Sequence, residues 1–463
     1  MIRVFGFYIL LPVLYIGALD TGILSGLSLY LMPAIEPPVH AGLPSRADDA
    51  LLFAASGLLL LYAMGLYRPK YLRGSASILL RLLIALAMAG AAALVTLALF
   101  SGHAIGLPDA GLLLGTSYAG LASVRFAIRP VLNHRAIRTR ILVVGTGARA
   151  AQVEKAMGLI GPERCVCVGY FPVSGGVPRV APDQILREND LAAVAEKLAV
   201  DEVVVAAEDL PLAQIVGSLR ACRADGVDVI DVSNFLEREI GQVDANDPTA
   251  AWLLYSDGTT RFGLTPAAKR VLDIALSTFL LLLTLPVTLL TALAIWLEGV
   301  ATNDRGPIFY AQERVGQGGR IFRVLKFRSM RTDAEKDGKA RWASRNDPRV
   351  TLVGSFIRKV RIDEIPQVWN VLRNDMSFIG PRPERPSIVE DLMREFPTFG
   401  FRHLVKPGIT GWAQVNYPYG ASKEDSLEKL KFDLYYIKNG GLFLDLLIIL
   451  QTLRVIIWPE GVH

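Results

Sequence analysis

Five apolar runs limit what this chain can fold into. Four crowd the first third, near Val4–Leu31, Ala50–Tyr67, Ile78–Phe100 and Ala110–Ile128, and a fifth occupies Ile274–Leu297. A helix rises about 1.5 Å per residue, so roughly 18 or more apolar residues cross a bilayer, where no water satisfies bare backbone groups. Composition agrees: 52% of the 463 residues are hydrophobic and the mean hydropathy is +0.36. That is too apolar for an ordinary soluble chain, and the length suits two or three domains.

The first run is too long and too interrupted by polar residues for a simple signal peptide, and no small-residue cleavage site is clear. Cytoplasmic loops collect Lys and Arg. Arg68, Lys70, Arg73 and Arg81 flank the second loop, and Arg125, Arg129, Arg135, Arg138 and Arg140 follow the fourth run. The first loop has only Arg46 and the third has no Lys or Arg. Residues 1–135 therefore read as a four-helix transmembrane bundle with both ends in the cytoplasm. Asp20 lies within the first run, either as a polar coupling site or as a carboxylate satisfied by a neighbouring helix.

The net charge of +5 and pI near 9.0 suit anionic lipid and phosphate substrates. They would suit nucleic acid, but no aromatic–basic interleaving supports it. Cys165, Cys167 and Cys222, an odd number, argue against a disulfide framework. Cys165 and Cys167 are expected on one buried strand, on opposite faces.

Residues 136–262 read as a Rossmann-like α/β domain and linker. Arg140–Val144 leads into Gly145-Thr146-Gly147, and the strand-like Glu202–Ala206 and Val227–Asp231 alternate with helical stretches. A dinucleotide is disfavoured, because the second strand, Cys165–Phe171, ends without an acidic residue for a ribose hydroxyl.

The chemistry-bearing stretch is Arg358-Lys359-Val360-Arg361-Ile362-Asp363-Glu364-Ile365-Pro366. Proline suits the first turn of a helix, so Asp363 is expected at or near the N-cap, facing free N–H groups and the positive helix end. A carboxylate held there stays ionised and nucleophilic, and a phosphate is drawn to the same place. The bland alternative is a capped surface helix with incidental salt bridges. If Arg323–Arg331 is extended, Lys326 and Arg328 share one face as a phosphate cradle, or touch lipid headgroups, with Phe327 opposite. Gly380-Pro381-Arg382-Pro383 stiffens the chain around one guanidinium. Lys406-Pro407-Gly408-Ile409-Thr410-Gly411-Trp412-Ala413-Gln414 is a rigid turn that would let backbone approach a nucleotide. His403 reads as structural, and no metal cluster or Ser/His/Asp set is visible among the 5 histidines.

These blocks, in this order from about Thr265 to Trp458, resemble the bacterial sugar transferases called monotopic polyprenyl-phosphate phosphoglycosyl transferases. The resemblance implies a membrane protein of α plus α/β class. Residues 263–463 would form a mostly helical catalytic domain, entered by a re-entrant helix hairpin over about 268–298 that breaks at Pro286. A fifth true span would put Arg305, Arg314, Arg320, Arg323, Lys326 and Arg328 outside the cell, against the charge rule. Leu442–Trp458, short for a span, would lie on the cytoplasmic leaflet.

The resemblance further implies transfer of a sugar-1-phosphate from a UDP-sugar to polyprenyl (undecaprenyl) phosphate at the bacterial inner membrane, on its cytoplasmic face, in exopolysaccharide synthesis. Asp363 would be nucleophile and Mg²⁺ ligand, and Glu364 its assistant. Lys326, Arg328, Arg358, Arg382 and Gln414 would contact phosphate or nucleotide. A homodimer is admitted and nucleic acid is not. The family commonly has Asn and a basic stretch after the Gln; Asn416-Tyr417-Pro418 departs from that, so local substrate contacts differ. The rival functions are a tethered NAD-dependent nucleotide-sugar epimerase or dehydratase, for which residues 138–245 lack a Tyr-x-x-x-Lys, and a non-enzymatic polysaccharide-export scaffold.

Overall fold

The computed structural model describes residues 2–4, 7–9, 11–35, 46–67, 76–96, 107–132, 138–161, 164–173, 177–207, 215–244, 266–334, 347–418, 420 and 422–457. They fall into two compact units, one within residues 1–241 and 453–459 and one otherwise within 242–452.

The first unit opens on a short antiparallel pair, β1 (Ile2–Val4) and β2 (Phe7–Ile9). Four apolar helices follow, Leu11–Ile35, Arg46–Ala63, Ala76–Thr96 and Leu107–Leu132. The first packs on the second and fourth, and the third on the same two. Leu24, Phe53, Leu61, Leu82, Leu86 and Leu121 fill the space between them. Val13–Tyr30 and Ala110–Ile128 are long and apolar enough to cross a membrane, whereas Leu51–Ala63 and Ile78–Ala91 are shorter apolar stretches. Asp20 has its partner: Arg125 donates to both its oxygens at 2.8 and 2.7 Å, and the Tyr67 hydroxyl donates at 2.8 Å. A carboxylate sealed among apolar helices survives because it is paired and hydrogen-bonded.

The α/β part of this unit is a parallel four-stranded sheet in the order β4-β3-β5-β6. Its strands are β3 (Thr139–Val144), β4 (Cys165–Phe171), β5 (Glu202–Val205) and β6 (Asp228–Asp231). Apolar clusters cover both faces, as parallel strands require. Gly145 is at φ +123, and a Cβ there would meet the Ala206 backbone, so its role is the close passage of two strand ends. The cysteine expectation is corrected. Cys165 sits in one cluster and Cys167 packs against the same one, as residues two apart on a strand must.

In the second unit a single helical element runs from Pro266 to Ala301 with Pro286 inside it. Phe279, Leu282, Leu283, Leu289 and Leu290 project from it unburied. The hairpin of β7 (Phe309–Val315) and β8 (Ile321–Phe327) follows, then helix Leu352–Lys359, a 3-10 turn over Ile362–Glu364 and helix Gln367–Leu372. β9 (Ser377–Ile379) pairs in parallel with β10 (Gly408–Thr410). Helices Lys423–Asn439 and Leu442–Ile457 end the described chain, the former started by a Ser422–Asp425 capping box.

Candidate active site

The carboxylate pair is held otherwise than a helix cap would hold it. Thr351 caps helix Leu352–Lys359 through Gly354 N–H, and Arg361 then turns left-handed at φ +60. That conformation costs a side-chain-bearing residue roughly 1–2 kcal/mol. It throws the chain into the single 3-10 turn Ile362–Glu364, which carries both carboxylates. The next helix has Pro366 itself at the N-cap and no side-chain cap, so the expectation of Asp363 as N-cap is corrected. Its environment comes from tertiary neighbours instead.

Those neighbours divide the pair. Glu364 Oε1 accepts from Lys326 Nζ at 3.0 Å and from Arg382 Nη2 at 2.7 Å, with Arg361 Nη1 4.0 Å away. Burial alone would raise Glu364, but Arg382 and Lys326 hold it well below the usual carboxylate range. Asp363 is buried and makes no hydrogen bond or ion pair to any described residue. Burial, then the charge of Glu364, push it above its ordinary range, against Lys326, Arg361 and Arg358. Burial likewise lowers Lys326, against Glu364. One carboxylate is thus locked by cations while the other stays open beside them.

Each clamp residue is itself fixed. Lys326 lies on β8, which the Asn370 side chain binds like a strand edge: Oδ1 accepts from Leu325 N–H at 2.9 Å and Nδ2 donates to Arg323 O at 2.7 Å. Arg382 follows β9, whose start is held by Asp273, accepting from Ser377 Oγ and Phe378 N–H at 2.9 Å each. Arg402 Nη2 donates to Arg382 O at 2.9 Å and to Asp433 Oδ2 at 2.8 Å. Asn370, Asp273, Arg402 and Asp433 went unnoticed in the sequence. Their only local signal is a polar residue in an apolar setting, as with Asp273 immediately before the apolar run that starts at Ile274.

Of the residues expected at the site, Glu364, Lys326 and Arg382 come together beside Asp363, and Arg358 bears on Asp363 through its charge alone. Arg328 turns elsewhere: Nη1 donates to Asp304 O at 3.1 Å, and the guanidinium packs over Gly299 and Gly306. Gln414 donates to Ile409 O at 3.1 Å, and its buried Oε1 has no partner among the described residues. The glycines of the Lys406–Gln414 block serve chain-to-chain packing, since a Cβ on Gly408 or Gly411 would strike the Gly380 backbone. Trp412 stacks on Tyr435, ring centroids 5.7 Å apart. Among the described residues no group of three or more His, Cys, Asp or Glu could share a metal.

The family model described as bacterial sugar transferase matches residues 264–459, the segment that holds this geometry. A protein of Aeromonas hydrophila named UDP-N-acetylgalactosamine-undecaprenyl-phosphate N-acetylgalactosaminephosphotransferase is 48% identical over 193 residues, 42% of this chain and 44% of that one. The undecaprenyl-phosphate glucose phosphotransferase of Komagataeibacter xylinus is 32% identical over 339 residues, 70% of this chain and 60% of that one. A putative undecaprenyl-phosphate N-acetylgalactosaminyl 1-phosphate transferase of Bacillus subtilis is 51% identical over 133 residues, 29% of this chain and 71% of that one. Against the first two, the match spans about half of the relative's length.

Proposed function

Because this chain belongs to the bacterial sugar transferase family, we propose that it moves a sugar-1-phosphate from a UDP-sugar to undecaprenyl phosphate. The observation that carries this is the split carboxylate pair, with Asp363 open and Glu364 clamped by Lys326 and Arg382. In-line displacement at phosphorus needs a positioned nucleophile and cations for the equatorial oxygens. Asp363, ionised, attacks the β-phosphorus; the new P–O bond forms as the bond to the bridging oxygen breaks, and uridine monophosphate leaves with that electron pair. An oxygen of the lipid phosphate then attacks the same phosphorus, freeing Asp363 and giving undecaprenyl diphosphate-sugar. Lys326 and Arg382, already fixed by Glu364, need little reorganisation to receive phosphate oxygens. Mg²⁺ belongs to the proposal: Asp363, with no bond to a described residue, fits an ion that takes one or two protein carboxylates plus diphosphate oxygens and offsets their charge.

The cytoplasmic face of the inner membrane, a four-helix bundle and a re-entrant path for 268–298 complete the proposal. Arg270 donates to the Val371 and Leu372 carbonyls, and Val371 packs with Val324; Ile295 packs on Phe327, further along the same strand. A straight helix would hold Arg270 and Ile295 roughly 37 Å apart, yet three strand residues span only about 10 Å. That favours a chain bent at Pro286. Exposed Leu352, Phe356 and Val360 give the Leu352–Lys359 helix a further apolar stripe toward lipid.

The test is adduct trapping. Purified protein with a UDP-sugar, Mg²⁺ and no lipid should release uridine monophosphate and gain a phospho-sugar on Asp363, found by mass spectrometry of quenched peptides. Asp363→Asn should insert into membranes and form none. Turnover surviving in that variant would exclude Asp363 as nucleophile. A panel of UDP-sugars with undecaprenyl phosphate identifies the sugar.

A further inference from the structure

The turn that carries the carboxylate pair opens on a residue its backbone does not favour. Arg361 is left-handed at φ +60, a conformation that Gly or Asn adopts more cheaply than a long side chain does. Asn303 and Asn374 fill two of the other left-handed positions. Arginine at this position is therefore explained by its side chain, not by its backbone. That side chain is 54% exposed, and its guanidinium makes no hydrogen bond to a described residue. Glu364 Oε1 lies 4.0 Å from Nη1, beyond hydrogen-bond reach. Lys326 and Arg382, by contrast, are tied to Glu364, and Arg358 is half-buried. The balance of charge leaves room for an anion, since Lys326, Arg358, Arg361 and Arg382 bear on only two carboxylates. An apolar stripe leads to the same place. Leu352, Phe356 and Val360 are exposed four residues apart, on one helix face, and the stripe ends one residue before Arg361.

Resting on the function proposed above, we infer that Arg361 receives the phosphate of the incoming polyprenyl lipid and steers it onto the phospho-sugar carried by Asp363. A lipid phosphate arrives from the membrane, past apolar surface, whereas a UDP-sugar arrives from water. Arg361 stands where the apolar stripe gives way to the carboxylates, and two residues of chain, at most about 7 Å, separate it from Asp363. In the second step one anion attacks another. An oxygen of the lipid phosphate forms the new bond to phosphorus, the bond from phosphorus to Asp363 breaks, and its electron pair returns to the carboxylate. A dianionic phosphate has no proton to lose, so the step calls for charge compensation rather than a base. A planar guanidinium meets two phosphate oxygens at once and leaves the third to attack. Lys326 and Arg382 meanwhile serve the phosphate of the sugar.

The test uses full-length protein in detergent, at a pH well above the acid limb of Asp363. Arg361→Asn removes the charge and relaxes the left-handed backbone, so it should unfold no earlier than wild type. Arg361→Lys keeps a point charge without the planar fork. In Arg361→Asn the KM for undecaprenyl phosphate should rise about tenfold more than the KM for the UDP-sugar, the worth of a charge-assisted hydrogen bond, and Arg361→Lys should recover part of that. A loss shared equally by the two substrates, or one confined to the UDP-sugar, overturns the assignment. Direct binding of radiolabelled undecaprenyl phosphate, beside undecaprenol as the probe without a phosphate, needs no donor. Only the phosphate-bearing lipid should weaken in Arg361→Asn, about tenfold; equal weakening of both, or of neither, overturns the assignment. A wild-type protein that forms no Asp363 adduct refutes the function instead, and the binding comparison then still scores Arg361.

Discussion

Replacing Glu364 by Gln keeps the shape of the clamp and deletes its charge, and it should lower both the stability and the pH at which activity is lost to acid. One oxygen of Glu364 meets Lys326 at 3.0 Å and Arg382 at 2.7 Å. Unit charges about 3 Å apart attract by roughly 5 kcal/mol at an effective dielectric near 20. Water reclaims much of that, because the Lys326 and Arg382 side chains keep 21% and 36% of their exposure. The amide oxygen also still accepts a hydrogen bond. A net loss of about 2–3 kcal/mol remains, below the range for breaking a fully buried pair. For a unit of this size that lowers Tm by roughly 5–10 °C. Glu364 is also the second cause, after burial, of the raised Asp363 pKa. An aspartate must be ionised to attack, so wild-type activity should fall as pH drops through a value above the ordinary aspartate range. Removing the neighbouring charge lowers that value, and the acid limb of Glu364→Gln should shift to lower pH even as the rate drops. Burst release of uridine monophosphate across pH, beside thermal unfolding in detergent, reads both effects. An acid limb that stays put or moves up while Tm falls would show that Asp363 is not the group being titrated.

Other perturbations separate the supports of the site. Asn370→Ala leaves the part-buried Leu325 amide and Arg323 carbonyl without their partner and should cost about 1–3 kcal/mol, with faster hydrogen exchange in β8. Arg361→Val forces a β-branched residue into a left-handed turn, costing about 1–2 kcal/mol, and removes a cation that lowers Asp363, so its acid limb should move up; a fall in apparent pKa would refute the assigned sign. In the membrane helices, Asp20→Leu leaves Arg125 without its carboxylate and should cost about 3–5 kcal/mol, seen as lost detergent-stable protein, whereas Asp20→Leu with Arg125→Leu should recover most of it.

Much was legible in the residues alone. Apolar runs longer than any soluble core helix, the strand–helix alternation of residues 138–245 and the carboxylate–proline and proline–arginine blocks are local patterns, because helix and strand periods bring together residues only a few positions apart. The reach of that logic ended at Asp363. An acid before a proline looks like a helix cap, but a left-handed Arg361 turned the chain early and left the cap position to Pro366. Which cations meet the carboxylates was decided by tertiary packing. Lys326 arrives on a strand stitched by Asn370, and Arg382 just beyond a strand held by Asp273, its carbonyl backed by Arg402 and Asp433, while Arg328, its spacing equally suitable, is taken by Asp304. Charge pairing depends on distances of a few ångströms between segments far apart in the chain, and only the packed fold sets those distances.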